Sequence, residues 1–290
     1  MKRFIILLTA VAVILGFSGC GTTKNSATIA ATTQPVYEFA TRLCNGTDIT
    51  VTRLITENIS CLHDYTLQVS QMKVIEQADA VIISGAGLED FMEDILVGKD
   101  MIDASSSIPL ICTHHNETKH DDHHHEEDPH IWLSPNNAKV MAENICCGLS
   151  QKYPQYAEIF EKNLAQLHTE LDNLQDYGEQ SLSSLKCREI LTFHDGFAYL
   201  AQAFDLTILH AIEEEAGREA SSAELIELCK LVDHHHLPAI FTERNGSVSA
   251  AAIISRETGT EIYQLDMAIG ANSYFSAMYH NIDILKEALE

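Results

Sequence analysis

One long stretch without helix breakers constrains the fold of this chain more than any other feature. Residues 155–184 contain no proline and a single glycine, and apolar side chains recur there every three to five positions. This spacing is typical of an amphipathic helix with one buried face. We therefore predict a long, rigid linking helix over residues 153–185. The residues that define its apolar face are Ile159, Leu164, Leu167, Leu171 and Leu174.

On both sides of this helix, short apolar runs alternate with helix-like stretches. Short buried runs that alternate with helices predict parallel β-sheets covered by helices. The chain of 290 residues is therefore expected to be an α/β protein with two lobes, at 28–152 and 186–290. In such sheets ligands bind outside the carboxyl ends of the strands, which predicts a site in the cleft between the lobes. The strand-like runs are 27–33, 49–55, 80–84, 189–193, 206–212, 238–242 and 261–265.

The amino terminus has the organisation of an export signal. Lys2 and Arg3 precede an apolar run over residues 4–17, and small residues follow it before Cys20. The run is short for a permanent membrane span. We predict a lipoprotein signal peptide at 1–20, with Cys20 as the lipid-modified residue, and a polar tether at 21–27. The alternative is a cleaved secretory peptide in which Cys20 has no role.

Charge and histidine content both point to cations as partners. The chain carries 18 Lys+Arg against 42 Asp+Glu, a net charge of −24, which argues against nucleic acid and anionic lipid as binding partners. Residues 114–130 hold seven histidines among carboxylates, with no apolar residue to build a core, so we expect a solvated loop that binds Zn²⁺ weakly. A merely hydrophilic insertion is the alternative. The six auxiliary loop ligands are His114, His115, His120, His123, His124 and His125.

Four other side chains lie at predicted strand ends or helix starts. His194 and Asp266 each directly follow a strand-like run, His63 lies in a loop after a strand, and His130 opens a helix entry. Three imidazoles and one carboxylate suit a tetrahedral zinc shell. A single histidine is more often structural or exposed than a ligand, and that interpretation is kept for His168, His210 and His280.

Several motifs in a fixed order make the chain resemble the solute-binding lipoproteins of bacterial zinc and manganese ABC importers. The resemblance covers nearly the whole chain after the predicted signal. Each motif alone is weak, but the order together with the lipoprotein signal is specific. The motifs are HDY at 63–65, SGAGLE at 84–89, DPHIWL at 128–133, FHD at 193–195, FTE at 241–243 and LD at 265–266.

This resemblance implies a fold, a function and a ligand set. It implies two α/β lobes joined by a rigid helix, with the metal held between them by His63, His130, His194 and Asp266. It also implies an extracytoplasmic protein, lipid-anchored to the bacterial cell membrane, that captures Zn²⁺ and delivers it to an ABC permease. We expect a monomer that is not an enzyme.

The metal and the fourth ligand are the open points. Manganese-selective members of the group place Glu where this chain has His194, and a nitrogen donor suits zinc whereas carboxylates suit manganese. No proline follows Asp266, so Glu243 is an alternative ligand or an acceptor for an imidazole N–H. A manganese carrier remains the alternative function. A zinc-dependent hydrolase is less favoured because no HExxH motif occurs.

Overall fold

The computed structural model describes most of the chain after the predicted signal and tether. Cys20, His63 and the six auxiliary loop histidines lie outside the described residues. Within the described part, no helix is both long enough and apolar enough to cross a membrane. The described residues are 27–57, 62, 65–112, 127–212, 220–270 and 272–290.

The first lobe contains a four-stranded parallel sheet in the order β2-β1-β3-β4. Its two central strands are apolar and buried, whereas the edge strand β2 exposes alternate residues, as expected for an edge. The short strand β4, which has one buried residue, was not predicted from the sequence. The elements are β1 (Thr28–Ala31), α1 (Gln34–Leu43), β2 (Thr50–Arg53), α2 (Val69–Gln77), β3 (Ala80–Ile83), α3 (Glu93–Leu96), β4 (Met101–Asp103) and α4 (Pro135–Lys152).

The second lobe repeats this plan with a parallel sheet in the order β6-β5-β7-β8. Strand β7 is buried along its whole length, in keeping with its central position and apolar sequence. A capping box at Ser221 starts helix α7, in which the Ser221 hydroxyl accepts a hydrogen bond from the amide of Glu224. The elements are β5 (Glu189–Thr192), α6 (Ala198–Ala203), β6 (Thr207–Ala211), α7 (Ser222–His235), β7 (Ala239–Glu243), α8 (Ser249–Thr258), β8 (Glu261–Leu265) and α9 (Tyr274–Leu289).

The long helix predicted between the lobes is confirmed as α5 (Ala157–Ser181), which a short turn at Pro154–Tyr156 precedes. It packs against α4 of the first lobe and α9 of the second. One hydrophobic cluster extends through both lobes and includes this helix, so the two sheets share a core. The domain boundaries themselves stay a prediction. The buried residues of α5 are Phe160, Leu167, Leu171, Leu174, Gln175 and Gly178.

Buried polar residues lie at the carboxyl ends of strands in both lobes. Thr32 follows β1 and Ser84 follows β3 in the first lobe, while Glu243 ends β7 and Asp266 follows β8 in the second. All four residues are buried. Because an apolar core does not need them, these positions mark the edge of each sheet where a ligand would be recognised.

Candidate metal centre

His130 is fixed by the carboxylate two residues before it. Asp128 Oδ1 lies 2.7 Å from His130 Nδ1 and also accepts a hydrogen bond of 2.9 Å from the His130 backbone amide. His130 and Asp128 are 5% and 1% exposed. This pairing holds Nδ1 at the carboxylate and directs Nε2 away from it, which is the orientation of a metal-binding imidazole.

His194 has the same arrangement on the other lobe. It lies just beyond β5, and its Nδ1 is 3.2 Å from Oε2 of Glu243, the last residue of the neighbouring strand β7. Burial, and secondarily the negative charge of Asp266, raises the pKa of Glu243 to about 7. Gly196 leaves room for this imidazole, since a Cβ at Gly196 would lie 2.6 Å from the His194 ring. A larger residue at this position would displace His194.

The two imidazoles meet across the cleft. His130 Nε2 and His194 Nε2 are 3.5 Å apart, and the rings are nearly perpendicular, with centroids 5.2 Å apart. Two nitrogens bound to one tetrahedral zinc at about 2.0–2.1 Å lie about 3.3 Å from each other. If each ring donates its Nδ1–H to the neighbouring carboxylate, both Nε2 lone pairs are directed into the space between the rings, where one cation could bind both.

Both supporting carboxylates are buried, and in each of them one oxygen has no hydrogen-bond partner among the described residues. These oxygens are Asp128 Oδ2 and Glu243 Oε1. A buried carboxylate is costly unless a positive charge or hydrogen bonds compensate it. Since each carboxylate contacts one of the two facing imidazoles, a divalent cation between the rings would provide that charge to both.

Asp266 lies near enough to Glu243 for its charge to raise the pKa of that carboxyl, and both of its own oxygens already have contacts. Oδ1 accepts from the amide of Ala268, and Oδ2 lies 3.2 Å from Arg244 Nη1 and 3.3 Å from Asn272 Nδ2. The Asn281 side chain bonds both the amide and the carbonyl of Asp266. Among the residues with described positions, no three histidine, cysteine, aspartate or glutamate side chains form a metal-binding group.

The structure brings some of the predicted site residues together and gives others different contacts. It brings His130 and His194 together, puts Glu243 against His194, and leaves Asp266 beside Glu243 in contact with Arg244. The supporting role of Asp128 was missed by the sequence analysis, although its position two residues before His130 was an available signal.

Histidines outside the cleft are engaged elsewhere. At the end of α7, Nδ1 of His235 lies 2.9 Å from Glu189 Oε2. The imidazole of His168 lies 3.4 Å from a Glu143 oxygen on α4. Both side chains are partly exposed, and for His168 a contact of this kind is what the structural interpretation from the sequence describes.

Comparison with known proteins gives a consistent result. A family model described as ZnuA, the periplasmic component A of zinc-uptake complexes, matches residues 29–288. The zinc-binding lipoprotein AdcA of Streptococcus pneumoniae is 29% identical over 312 residues, covering 100% of this chain and 62% of AdcA. The chain therefore spans less than two thirds of that relative.

Solved structures agree with the sequence matches. The crystal structure of ZnuA superposes with a TM-score of 0.80 at 25% identity, covering 91% of this chain and 100% of that chain. The Zn(II)-bound ZnuA-like domain of Streptococcus pneumoniae AdcA superposes with a TM-score of 0.76 at 28% identity, covering 91% of this chain and 99% of that domain. The fold of this chain is therefore that of a known group of two-lobed proteins.

Proposed function

Because the chain belongs to the ZnuA family of periplasmic zinc-uptake components, we propose that it captures Zn²⁺ outside the cytoplasm and delivers it to an ABC permease. Members of this family are solute-binding proteins and not enzymes, so the hydrolase alternative from the sequence is set aside. The observation that carries the proposal is the pair of facing imidazoles, each backed by a buried carboxylate.

The donor set favours zinc over manganese. Both imidazole nitrogens that face the cleft are borderline donors, whereas Mn²⁺ prefers oxygen ligands. A structure similar to this chain, the ZnuA-like domain of AdcA, is Zn(II)-bound. The divalent cation is the cargo, and the −24 net charge of the chain attracts it electrostatically.

We infer a ligand shell in which His63, His130 and His194 supply nitrogen and a carboxylate closes the fourth position. Asp266 is the proposed fourth ligand. Its release from Arg244 would accompany binding, because Oδ2 is shared with that guanidinium before a cation is present. Glu243 would then remain the acceptor that holds the His194 N–H. Four protein ligands without an open position suit capture rather than catalysis.

The remaining parts of the proposal concern location and assembly. The protein is extracytoplasmic, as its family is, and we propose that a lipid on Cys20 anchors it to the cell membrane as a monomer. A zinc-binding lipoprotein among its relatives supports the anchor. In this arrangement the permease lies in the same membrane, so the loaded protein meets it by lateral diffusion.

Ligand substitution tests the proposal. His63→Ala, His130→Ala and His194→Ala should each weaken Zn²⁺ binding by about a hundredfold or more in competition with a chromophoric chelator, because the shell loses a donor and even the loss of a group that only supports a donor costs about 10–100-fold. His280→Ala is the matched control and should bind as the unaltered protein does. Equal losses at all four positions, or tighter binding of Mn²⁺ than of Zn²⁺ by the unaltered protein, would contradict the proposal.

A further inference from the structure

We propose that Trp132 is a positioning residue for metal capture, which couples the ligand-bearing segments of the two lobes through its indole N–H. This inference rests on the proposed function. It concerns a residue that touches no metal in our proposed shell. The evidence is a set of hydrogen bonds between the segment that follows His130 and the loop that follows Asp266.

Trp132 lies between the two candidate ligand segments. It is fully buried in the first lobe, two residues after His130, and its ring centroid is 5.4 Å from that of His130 in an edge-to-face arrangement. Its Nε1–H donates a 2.8 Å hydrogen bond to the carbonyl of Met267, the residue directly after Asp266. A single side chain thus contacts one candidate ligand and holds the neighbour of another.

A second hydrogen bond joins Trp132 to the start of α9. The Tyr274 hydroxyl, at the start of α9, donates a 2.9 Å hydrogen bond to the carbonyl of Trp132. Tyr274 is also fully buried and packs edge-to-face on Phe39 of α1, with centroids 5.1 Å apart. The loop between β8 and α9 is therefore tied to Trp132 at both of its ends.

Other cross-lobe contacts hold the same loop but lie farther along it from Asp266. Arg53 donates a 2.9 Å hydrogen bond to the carbonyl of Gly270. Glu38 accepts a 2.7 Å bond from the amide of Tyr274 and a 3.0 Å bond from the Ser273 hydroxyl. These contacts make the loop a shared element of both lobes, and among the described residues the Trp132 bond is the cross-lobe hydrogen bond of this loop nearest to Asp266.

The physical consequence concerns distances between donors. A metal shell requires its ligands within about 0.5 Å of the productive geometry, so the segments that carry them must be fixed relative to each other. The Trp132 bond joins a side chain to the backbone between two buried residues, where an unpaired carbonyl is costly. Losing the indole N–H leaves the buried Met267 carbonyl without this donor, and the loop can relieve that cost only by shifting.

The test uses two variants of the whole protein and one control. Trp132→Phe keeps an aromatic ring but removes the N–H, and Tyr274→Phe removes only the hydroxyl and is nearly isosteric. Phe160→Leu creates a core cavity on α5, a helix that carries none of the candidate ligands, and is the control for a general loss of stability. Zinc affinity is measured by chelator competition, and Co²⁺ replaces zinc to report the coordination geometry through its visible absorption bands.

We expect Trp132→Phe to weaken zinc binding about tenfold, as for a lost buried hydrogen bond, and to alter the Co²⁺ bands. Tyr274→Phe should act in the same direction with a smaller effect, and it decides the question if Trp132→Phe does not fold. Phe160→Leu should lower the unfolding temperature and leave both readouts unchanged. Unchanged affinity and bands in the folded variants would overturn the inference. Failure of the unaltered protein to bind zinc would instead overturn the proposed function.

Discussion

Removing the charge of Asp128 isolates the electrostatic contribution of a carboxylate that does not itself bind the cation. In Asp128→Asn the side chain keeps its shape, and its carbonyl oxygen can still accept from His130 Nδ1 and from the His130 amide. Only the negative charge is lost. Asp128 is 1% exposed, so solvent does not screen the change.

The magnitude follows from distance. Asp128 Oδ1 is 2.7 Å from His130 Nδ1, and a zinc ion on Nε2 of the same ring would lie about 6–7 Å from that oxygen. A charge of +2 and one of −1 at this separation interact by about 1 kcal/mol in water and about 5 kcal/mol at an effective dielectric constant of about 20. Losses of 10–100-fold, typical for such supporting groups, correspond to about 1.4–2.8 kcal/mol and fall within these limits.

The assay is competition for Zn²⁺ against a chelator with a known constant at neutral pH. Asp128→Asn should raise the dissociation constant 10–100-fold while retaining one tight site. Asp172→Asn removes an exposed carboxylate that pairs with Lys139 on the surface and serves as the matched control. A change of less than threefold in Asp128→Asn would show that the buried charge does not act on the cation and would refute the reasoning.

Three further predictions address other parts of the molecule. Deletion of residues 119–127 should leave one tight zinc per molecule in a calorimetric titration and remove only the weaker binding, because His130 and His194 lie outside the deletion. Loss of the tight phase would place the main site in the loop. Burial raises the pKa of Glu89 from 4.5, the value expected in the unfolded chain, to about 7 in the folded protein. Glu89 therefore contributes its full stabilisation below about pH 4.5, and this contribution is lost as the pH rises through about 7. Glu89→Gln should therefore remove a decline of about 3 kcal/mol in the free energy of unfolding across that window in denaturant titrations, and an unchanged pH profile would contradict this. Cys20→Ala should move the protein from the membrane fraction to the soluble fraction on blotting without changing its zinc affinity, and retention in the membrane fraction would exclude the lipid anchor.

The lobes and the linking helix were accessible from the sequence because each depends on local patterns. Apolar runs predicted the strands, and a stretch without helix breakers predicted α5. A buried strand needs only a run of apolar residues, and a helix with one buried face needs only apolar residues at regular spacing. Residues close together in the sequence determine both patterns. The short strand β4 was not predicted because only Ile102 in it is buried, and one buried residue does not make a recognisable pattern.

The candidate site could be predicted only in part, because its geometry depends on residues that are far apart in the sequence. The sequence singled out His130 and His194 from their positions at element ends, but 64 positions separate them along the chain. Nothing local determines that their Nε2 atoms meet at 3.5 Å. That distance depends on how two sheets pack against a common core.

The contacts that support the site also differ in how far apart their residues lie in the sequence. Asp128 lies two residues from His130, so its hydrogen bond is local and was in principle predictable. The bond from Trp132 to the Met267 carbonyl joins residues 135 positions apart and exists only because the lobes are packed together. The sequence by itself determined which residue types stand at the strand ends. Tertiary packing alone decided which of them face one another, because side-chain distances across a cleft depend on the relative placement of the lobes.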